Sequence, residues 1–389
     1  MRGAAWRAQA VRSDVGGGGF LVANLTYSLA SSHGGILIAG GYGVVGRRIA
    51  AELAPYYPGQ VIVAGRHLDR ANNAAMAIGH GAYGRAIDVT LPASISAALK
   101  NVCAVVSCID QPKRNLLNAT IEQGLRYTDI TPHLTSLGRG AAFERIDTAA
   151  RMTGARVVLG AGLVPGISNV MVRATADRLG GADEIQTALL LSANDVTGPG
   201  SFQYFLQELT MPFEIHVAGT DRPAHPFSEP RPIEFPLPIG ARPAYLFPFS
   251  DQVLYPRTMG ARTAITRLAL EPAWLARVLA VMVSTGAARL VTGRRVSDAI
   301  AQRRPGRAPR ECAGFALRVD VTHKGCLRHG TLLGPAQADA AAFGAASIVR
   351  SLMEGEVADP GAWMPEQVIN PRSFFSRLAA RGLNVKLDY

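Results

Sequence analysis

Lysine is nearly missing from this chain: of its 40 basic residues only Lys100, Lys113, Lys324 and Lys386 are lysines. The rest are arginines spread along 389 residues, so the net charge of +11 has no basic tract behind it. Nucleic-acid binding is therefore not expected, and the positive field is left for small anionic ligands. Cysteine is scarce as well. Cys103, Cys108, Cys312 and Cys326 form no Cys-x-x-Cys pair and have no histidine at ligand spacing, which excludes a disulfide framework and leaves no metal site expected. Cys103 and Cys108 bracket an apolar run, where a thiol acts as a small buried hydrophobe, and the pattern suits a reducing, cytoplasmic setting. Long unbroken apolar stretches are also lacking. Phe20 to Ala30 is interrupted by Asn24, Thr26 and Tyr27, and the uncharged span from Val15 to Gly46 by glycines and Ser31-Ser-His33. Neither an export signal nor an integral membrane segment is expected, and residues 1–33 read as a disordered extension. With 48% apolar and 18% charged residues the chain is globular and large enough for two domains.

What is present begins at Gly35-Ile-Leu-Ile-Ala-Gly-Gly41-Tyr-Gly43-Val-Val-Gly46, an apolar strand, a glycine turn and the start of an amphipathic helix. In a dinucleotide-binding turn Gly41 makes the bend, Gly43 lets backbone approach a pyrophosphate, and Gly46 brings helix and strand together. Tyr42, Val44 and Val45 complete the phosphate loop. A second strand, Gln60 to Arg66, follows at the distance of the ribose-reading residue. That position holds Arg66, with His67 and Arg70 beside it and the first acid only at Asp69. A guanidinium there suits a 2′-phosphate, so NADP(H) is the expected cofactor.

The pattern continues as alternating helices and strands: a helix from Leu68 to Ile78, a short strand through Arg85 ending near Asp88-Val-Thr90, a helix from Ala93 to Leu99, and a strand from Cys103 to Asp110. A helix from Asn115 to Gly124, a strand from Arg126 to Ile130, a helix from Phe143 to Thr153 and a sixth strand, Arg156 to Leu159, complete the series. Such alternation predicts an α/β fold with a doubly wound parallel sheet of the Rossmann type. Past Gly160 to Gly166 the pattern changes. A helix from Ile167 to Leu179 and a strand from Glu184 to Ser192 open a second unit. Met211 to Pro256, with proline every few residues, reads as loops and edge strands. Helix is expected from Glu271 to Val291 and from Ala336 to Met353, strand from Phe315 to Thr322, and a solvated arginine-rich loop from Arg294 to Arg310. The expected organisation is an extension over 1–33, a Rossmann domain over 34–165, a second α/β domain over 166–339 and a C-terminal segment over 340–389.

The chain resembles the saccharopine dehydrogenase-like reductases. The pieces that carry the resemblance are Gly41-Tyr-Gly-Val-Val-Gly46, Val63-Ala-Gly-Arg66, Asp88-Val-Thr90, Val105-Val-Ser-Cys-Ile109, Gly162-Leu-Val-Pro-Gly166 and the C-terminal Pro360-Gly-Ala-Trp-Met-Pro365 with Phe374-Phe375 and Leu378. The resemblance implies an inserted domain carrying an open mixed sheet, a C-terminal segment returning to the first domain, and a site in the cleft between. It also implies hydride transfer between NADP(H) and a carbon bonded to nitrogen. Relatives of this fold include reductases of carbon-carbon double bonds in lipid intermediates, and a cofactor-binding sensor or assembly subunit without turnover is a further reading. The assembly is left open, with a homodimer among the options.

Asp88 and Val89 are expected beside the adenine, with a turn cap as the alternative role for Asp88. Cys108, Ile109 and Asp110 leave the fourth strand where ribose and nicotinamide run. Asp129, Thr131 and His133 leave the fifth on the ligand side. His133 has the pKa of a proton donor near neutral pH and Asp129 is placed to orient it, with a plain surface histidine as the alternative. On the substrate side Thr131, Pro165, Gly166, Asp251, Tyr255 and Arg257 are candidates, Arg257 as a fork for a carboxylate or phosphate or else as a structural ion pair. Arg231 and Arg242 are weaker candidates of the same kind, and Asp195 with Thr197 to Ser201 is a further polar group among turn residues.

Overall fold

A computed structural model of the chain describes residues 34–111, 113–130, 141–192, 205–291 and 314–388. The extension over 1–33, Thr131, His133, Asp195, the Thr197 to Ser201 turn, Cys312 and the Arg294 to Arg310 run lie outside the described residues.

Seven parallel strands form the first sheet, in the order β15-β6-β5-β4-β1-β2-β3. They are β1 (Gly35–Ala39), β2 (Val61–Gly65), β3 (Tyr83–Ala86), β4 (Val102–Ser107), β5 (Arg126–Asp129), β6 (Arg156–Val158) and, from far along the chain, β15 (Gly361–Trp363). The helices between them are α1 (Val44–Leu53), α2 (Leu68–Ile78), α3 (Pro92–Ala98), α4 (Asn115–Glu122) and α5 (Ala142–Thr153). The five residues of β1 and of β2 are all buried, as strands covered on both faces require, which is why they read as continuous apolar runs. α1 buries Gly46, Ile49, Ala50 and Leu53, one stripe at helical spacing. The chain order around β1 reverses between β1 and β4, and the crevice at that switch lies beyond the strands' carboxyl ends.

The second sheet is mixed, in the order β10-β11-β12-β7-β13-β14-β16 with β8 and β9 attached beside β12. After α6 (Ile167–Leu179) come β7 (Glu184–Ser192), β8 (Phe213–Val217), β9 (Thr220–Ala224), β10 (Arg231–Phe235), β11 (Gly240–Leu246), α7 (Asp251–Thr258), β12 (Thr263–Glu271), α8 (Ala273–Ser284) and α9 (Ala288–Val291). The chain closes with β13 (Phe315–His323), β14 (Cys326–Gly334), α10 (Gln337–Met353), β15, α11 (Pro365–Val368), α12 (Pro371–Ala379) and β16 (Lys386–Leu387). β12 and β7 pair in parallel at the centre, while β13 runs antiparallel to β7. α6 packs on β13 and β14 of this sheet, and α10 on α1 and on β4 and β5 of the first. The C-terminal segment thus adds β15 to the first sheet beside β6 and β16 to the second beside β14.

Four sequence expectations are corrected here. The Pro-rich stretch forms its expected strands as two hairpins, but its end is helical: α7 runs through Pro256 and is held by Gln252, whose Nε2 donates to Phe247 O and whose Oε1 accepts the Thr266 N–H. The helix expected to start at Glu271 starts at Ala273, because Glu271 is the last residue of β12, a strand the pattern did not reveal. It also breaks after Ser284, near Gly286 at φ +77°, before α9. The third strand ends at Ala86 rather than near Thr90, because Asp88 closes a turn there: its Oδ1 accepts the Thr90 N–H and hydroxyl.

Candidate active site

The glycine loop after β1 is built on backbone clearance. Gly40, at φ +80°, makes the left-handed step that ends β1, so the bend falls one residue before Gly41. A Cβ on Gly46 would lie 2.4 Å from the Gly40 carbonyl oxygen, so the first turn of α1 can rest on the loop only because that position has no side chain. Gly43 caps α1, is exposed and has extended backbone. The N–H groups of Val44, Val45 and Gly46 therefore have no acceptor within the helix, which with the helix dipole makes an anion seat. The Tyr42 ring lies against Gly65, where a Cβ would come within 2.3 Å of it, and so packs the loop onto the end of β2.

Arg66, the next residue, is exposed at the crevice side of β2. Hydrogen bonds from the Thr90 side chain and backbone, and then the Arg66 charge, hold Asp88 below the usual carboxylate range. Asp88 thus does the turn-capping work that was its alternative role, with its own N–H given to Ser94 Oγ at 2.9 Å. The Val89 carbonyl accepts from Asn115 Nδ2 at 3.1 Å, which ties the exit of β3 to the start of α4.

β1 and β4 meet at the floor of the crevice. Cys108 N–H donates to Ala39 O at 2.9 Å, and the Ile109 side chain faces Gly40. Burial, and then Asp129, push the Cys108 thiol up to about 12, so it is protonated at neutral pH and is no nucleophile. Asp110 is exposed. Beneath runs a polar chain that sequence reading missed. Gln111 Nε2 donates to Ser107 Oγ at 2.7 Å and to the Tyr127 hydroxyl oxygen at 3.2 Å, and the Tyr127 O–H reaches Asp129 Oδ2 at 3.3 Å. Asp129 is buried. Its Oδ1 accepts the Gly160 N–H at 2.9 Å and its backbone oxygen the Ala161 N–H at 2.6 Å, so it clamps the turn leaving β6 to the end of β5. Tyr127 is buried with its hydroxyl bonded into this chain.

That turn carries Pro165 and Gly166, both buried, into α6, where Gly166 N–H donates to Asn169 Oδ1 at 2.8 Å. Beside it lies a second buried polar group. Asp251 Oδ1 accepts the Thr266 hydroxyl and the Gln252 N–H, each at 2.9 Å, while its Oδ2 is buried with no hydrogen-bond partner among the described residues. Burial pushes Asp251 up to about 7, opposed by those two hydrogen bonds and assisted by Glu366. Glu366, fully buried, accepts from Thr258 Oγ1 and from Asn169 Nδ2, and burial raises it too. Sequence reading missed Glu366; an acid inside an apolar C-terminal run was its one signal. Arg257 is not a free fork: it pairs with Glu144 and stacks on the Phe143 ring, joining α7 to α5. Arg242 is likewise in an ion pair, with Glu271 at 2.8 Å. Among the described residues no group of His, Cys, Asp or Glu is arranged to hold a metal, and no helix is long and apolar enough to cross a membrane.

No protein-family model and no curated protein matches the sequence. Among solved structures, apo saccharopine dehydrogenase (L-Glu forming) from Saccharomyces cerevisiae superposes over 92% of this chain and 100% of its own, with a TM-score of 0.64 at 16% identity. This chain has the saccharopine dehydrogenase fold. The expected parallel sheet followed by a mixed second sheet is thereby matched along nearly the whole length. DAP dehydrogenase of C. glutamicum, in complex with DAP, aligns over 90% of this chain and 99% of its own, with a TM-score of 0.45 at 13% identity. A 3-ketoacyl-(acyl-carrier-protein) reductase from Brucella melitensis, complexed with NADH, covers 32% of this chain and 73% of its own, with a TM-score of 0.24 at 16% identity.

Proposed function

We propose that this protein is an NADP(H)-dependent oxidoreductase that transfers hydride to or from a carbon-nitrogen bond of a small anionic substrate. The observation that carries the reading is the glycine loop at the end of β1 with Arg66 exposed at the end of the adjacent β2. The loop fits a dinucleotide: three helix-start N–H groups without internal acceptors follow an exposed glycine. Val44, Val45 and Gly46 would take the pyrophosphate, Arg66 the 2′-phosphate, the backbone at Asp88 and Val89 the adenine, and Cys108 to Asp110 the ribose beyond β4. When bound, the cofactor supplies or accepts the hydride, and the chain's own work is orientation and proton handling.

For the proton we assign His133, four residues past Asp129. Asp129 acts as its positioning residue by fixing the backbone where β5 leaves the sheet. Thr131 is assigned to the substrate from its place in the sequence after β5, Pro165 and Gly166 would wall the substrate space, and the buried Asp251 and Tyr255 would back it. The shared fold and the resemblance of the sequence motifs support the carbon-nitrogen chemistry. The test is NADPH oxidation with a panel of imines formed from keto acids and amines. Turnover should appear with some members, and His133→Ala should lower it by roughly a hundredfold or more and flatten its pH profile, with NADPH affinity kept. An unchanged rate and pH profile would remove the histidine from the reaction, and no turnover across the panel would count against the chemistry.

A further inference from the structure

The second sheet contains a buried cation that no part of the proposed reaction uses. Along β12 successive side chains alternate between faces. Thr266 turns to the Asp251 side, so Arg267 turns to the other, in register with Leu246 of β11 and Ala188 of β7. Arg267 is only 1% exposed, the largest fully buried side chain in the described chain. It lies at a seam. Two residues before it, Ile265 packs with Ile215, Ala224 and Leu246 under the β8–β9 hairpin. Two residues after it, Ala269 packs with Phe235 under the β10–β11 hairpin.

The guanidinium is poorly matched there. Among the described residues its one hydrogen bond runs from Nη1 to Gln186 Oε1 at a long 3.4 Å, and its buried Nε has no acceptor. The charges that reach it are Arg231, Arg222 and Glu229. Glu229 gives both carboxylate oxygens to Arg222 in a two-pronged pair, each bond 2.8 Å, which leaves three cations around one committed acid. Burial first, and then Arg231, lower Arg267 to about 10, so it keeps its charge at neutral pH. An ion taken from water without a counter-ion costs several kcal/mol, and a planar fork of donors is the group best shaped to recover that from an oxyanion.

We propose that this seam is a binding site for a small oxyanion, a carboxylate or phosphoryl group, held by Arg267 inside and Arg231 at the mouth. It lies on the face of the second sheet opposite Asp251 and is separate from the glycine loop, so it stands whether or not the oxidoreductase reading does.

Thermal unfolding of the full chain tests it, with sodium phosphate and sodium malonate each titrated against sodium chloride at matched ionic strength. The wild type should show a saturable rise in Tm at low-millimolar phosphate or malonate, and the salt acting at lower concentration identifies the phosphoryl or carboxylate form. Arg267→Met should abolish the rise while being no less stable than wild type in chloride, because an unpaired buried cation has been replaced by an apolar chain of similar length. Arg231→Gln should shift the titration to roughly threefold higher concentration. Arg66→Asp, which removes the basic group of the cofactor site, should keep the rise. Absence of a saturable rise in the wild type, its survival in Arg267→Met, or its loss in Arg66→Asp would overturn the proposal. If Arg267→Met does not fold, Arg231→Gln decides: an unshifted titration overturns the site.

Discussion

Asp251 keeps its carboxyl fully buried, with donors on one oxygen and, among the described residues, none on the other, and this makes its stability contribution depend on pH. Its folded value of about 7 lies above the ordinary 3.8, so between those pH values the folded chain holds a proton that the unfolded chain releases. Stability from this group is therefore highest below pH 4, falls as pH rises through the window and levels off above 7. Asp251→Asn keeps an acceptor for Thr266 and carries no charge. It should be more stable than wild type at pH 8, by up to about 4 kcal/mol, and should lose that advantage near pH 4. Urea unfolding at pH 5, 6.5 and 8 measures this, and a constant difference across the three would exclude titration of Asp251 as the cause. At this scale, the places of Gly43, Gly46 and Arg66 in the fold were legible, because each sits a few positions from the strand end that defines it. Glu366 and Gln111 were not legible, because their partners Asn169 and Tyr127 are brought to them by the tertiary fold.

Among elements, the ones that escaped sequence reading share a physical cause. β12 is nine residues, all but the last buried, in a mixed sheet covered on both sides, and its Thr-Ala-Ile-Thr-Arg-Leu-Ala-Leu-Glu run shows no alternation. β14 follows β13 through Lys324 and Gly325, both at positive φ, a two-residue hairpin without the Asn-Gly or Asp-Gly that would announce it. α7 was hidden by Pro256. What anchors α7 is Gln252, fully buried, whose Nε2 donates to Phe247 O at 2.9 Å and whose Oε1 accepts the Thr266 N–H at 3.0 Å. Gln252→Ala removes the acceptor of the buried Thr266 N–H and one of two donors to the Phe247 carbonyl, which also accepts the Phe249 N–H at 2.8 Å, and should cost about 1–3 kcal/mol by urea unfolding. A loss under 1 kcal/mol would mean that β12 holds α7 in place without this side chain.

For the whole molecule, the parallel first sheet follows from the alternating runs, and the mixed second sheet is the one that the resemblance of the sequence motifs implied. The seventh strand did not show in the sequence, since three residues, Gly361–Trp363, become a strand only when they meet β6 some 200 positions earlier. The return of the C-terminal segment to both sheets makes the crevice and the second sheet parts of one folding problem.

In the proposed function, cofactor choice rests on Arg66 at the end of β2. Affinities for NADPH and NADH, measured by fluorescence titration of the wild type and of Arg66→Asp, test it directly. The wild type should bind NADPH at least about tenfold more tightly, a difference of about 1.4 kcal/mol that one charge-assisted pair readily supplies, and the variant should lose or invert that preference with NADH binding preserved. Equal affinities in the wild type, or a preference that survives Arg66→Asp, would contradict the reading of Arg66 as the ribose-phosphate contact.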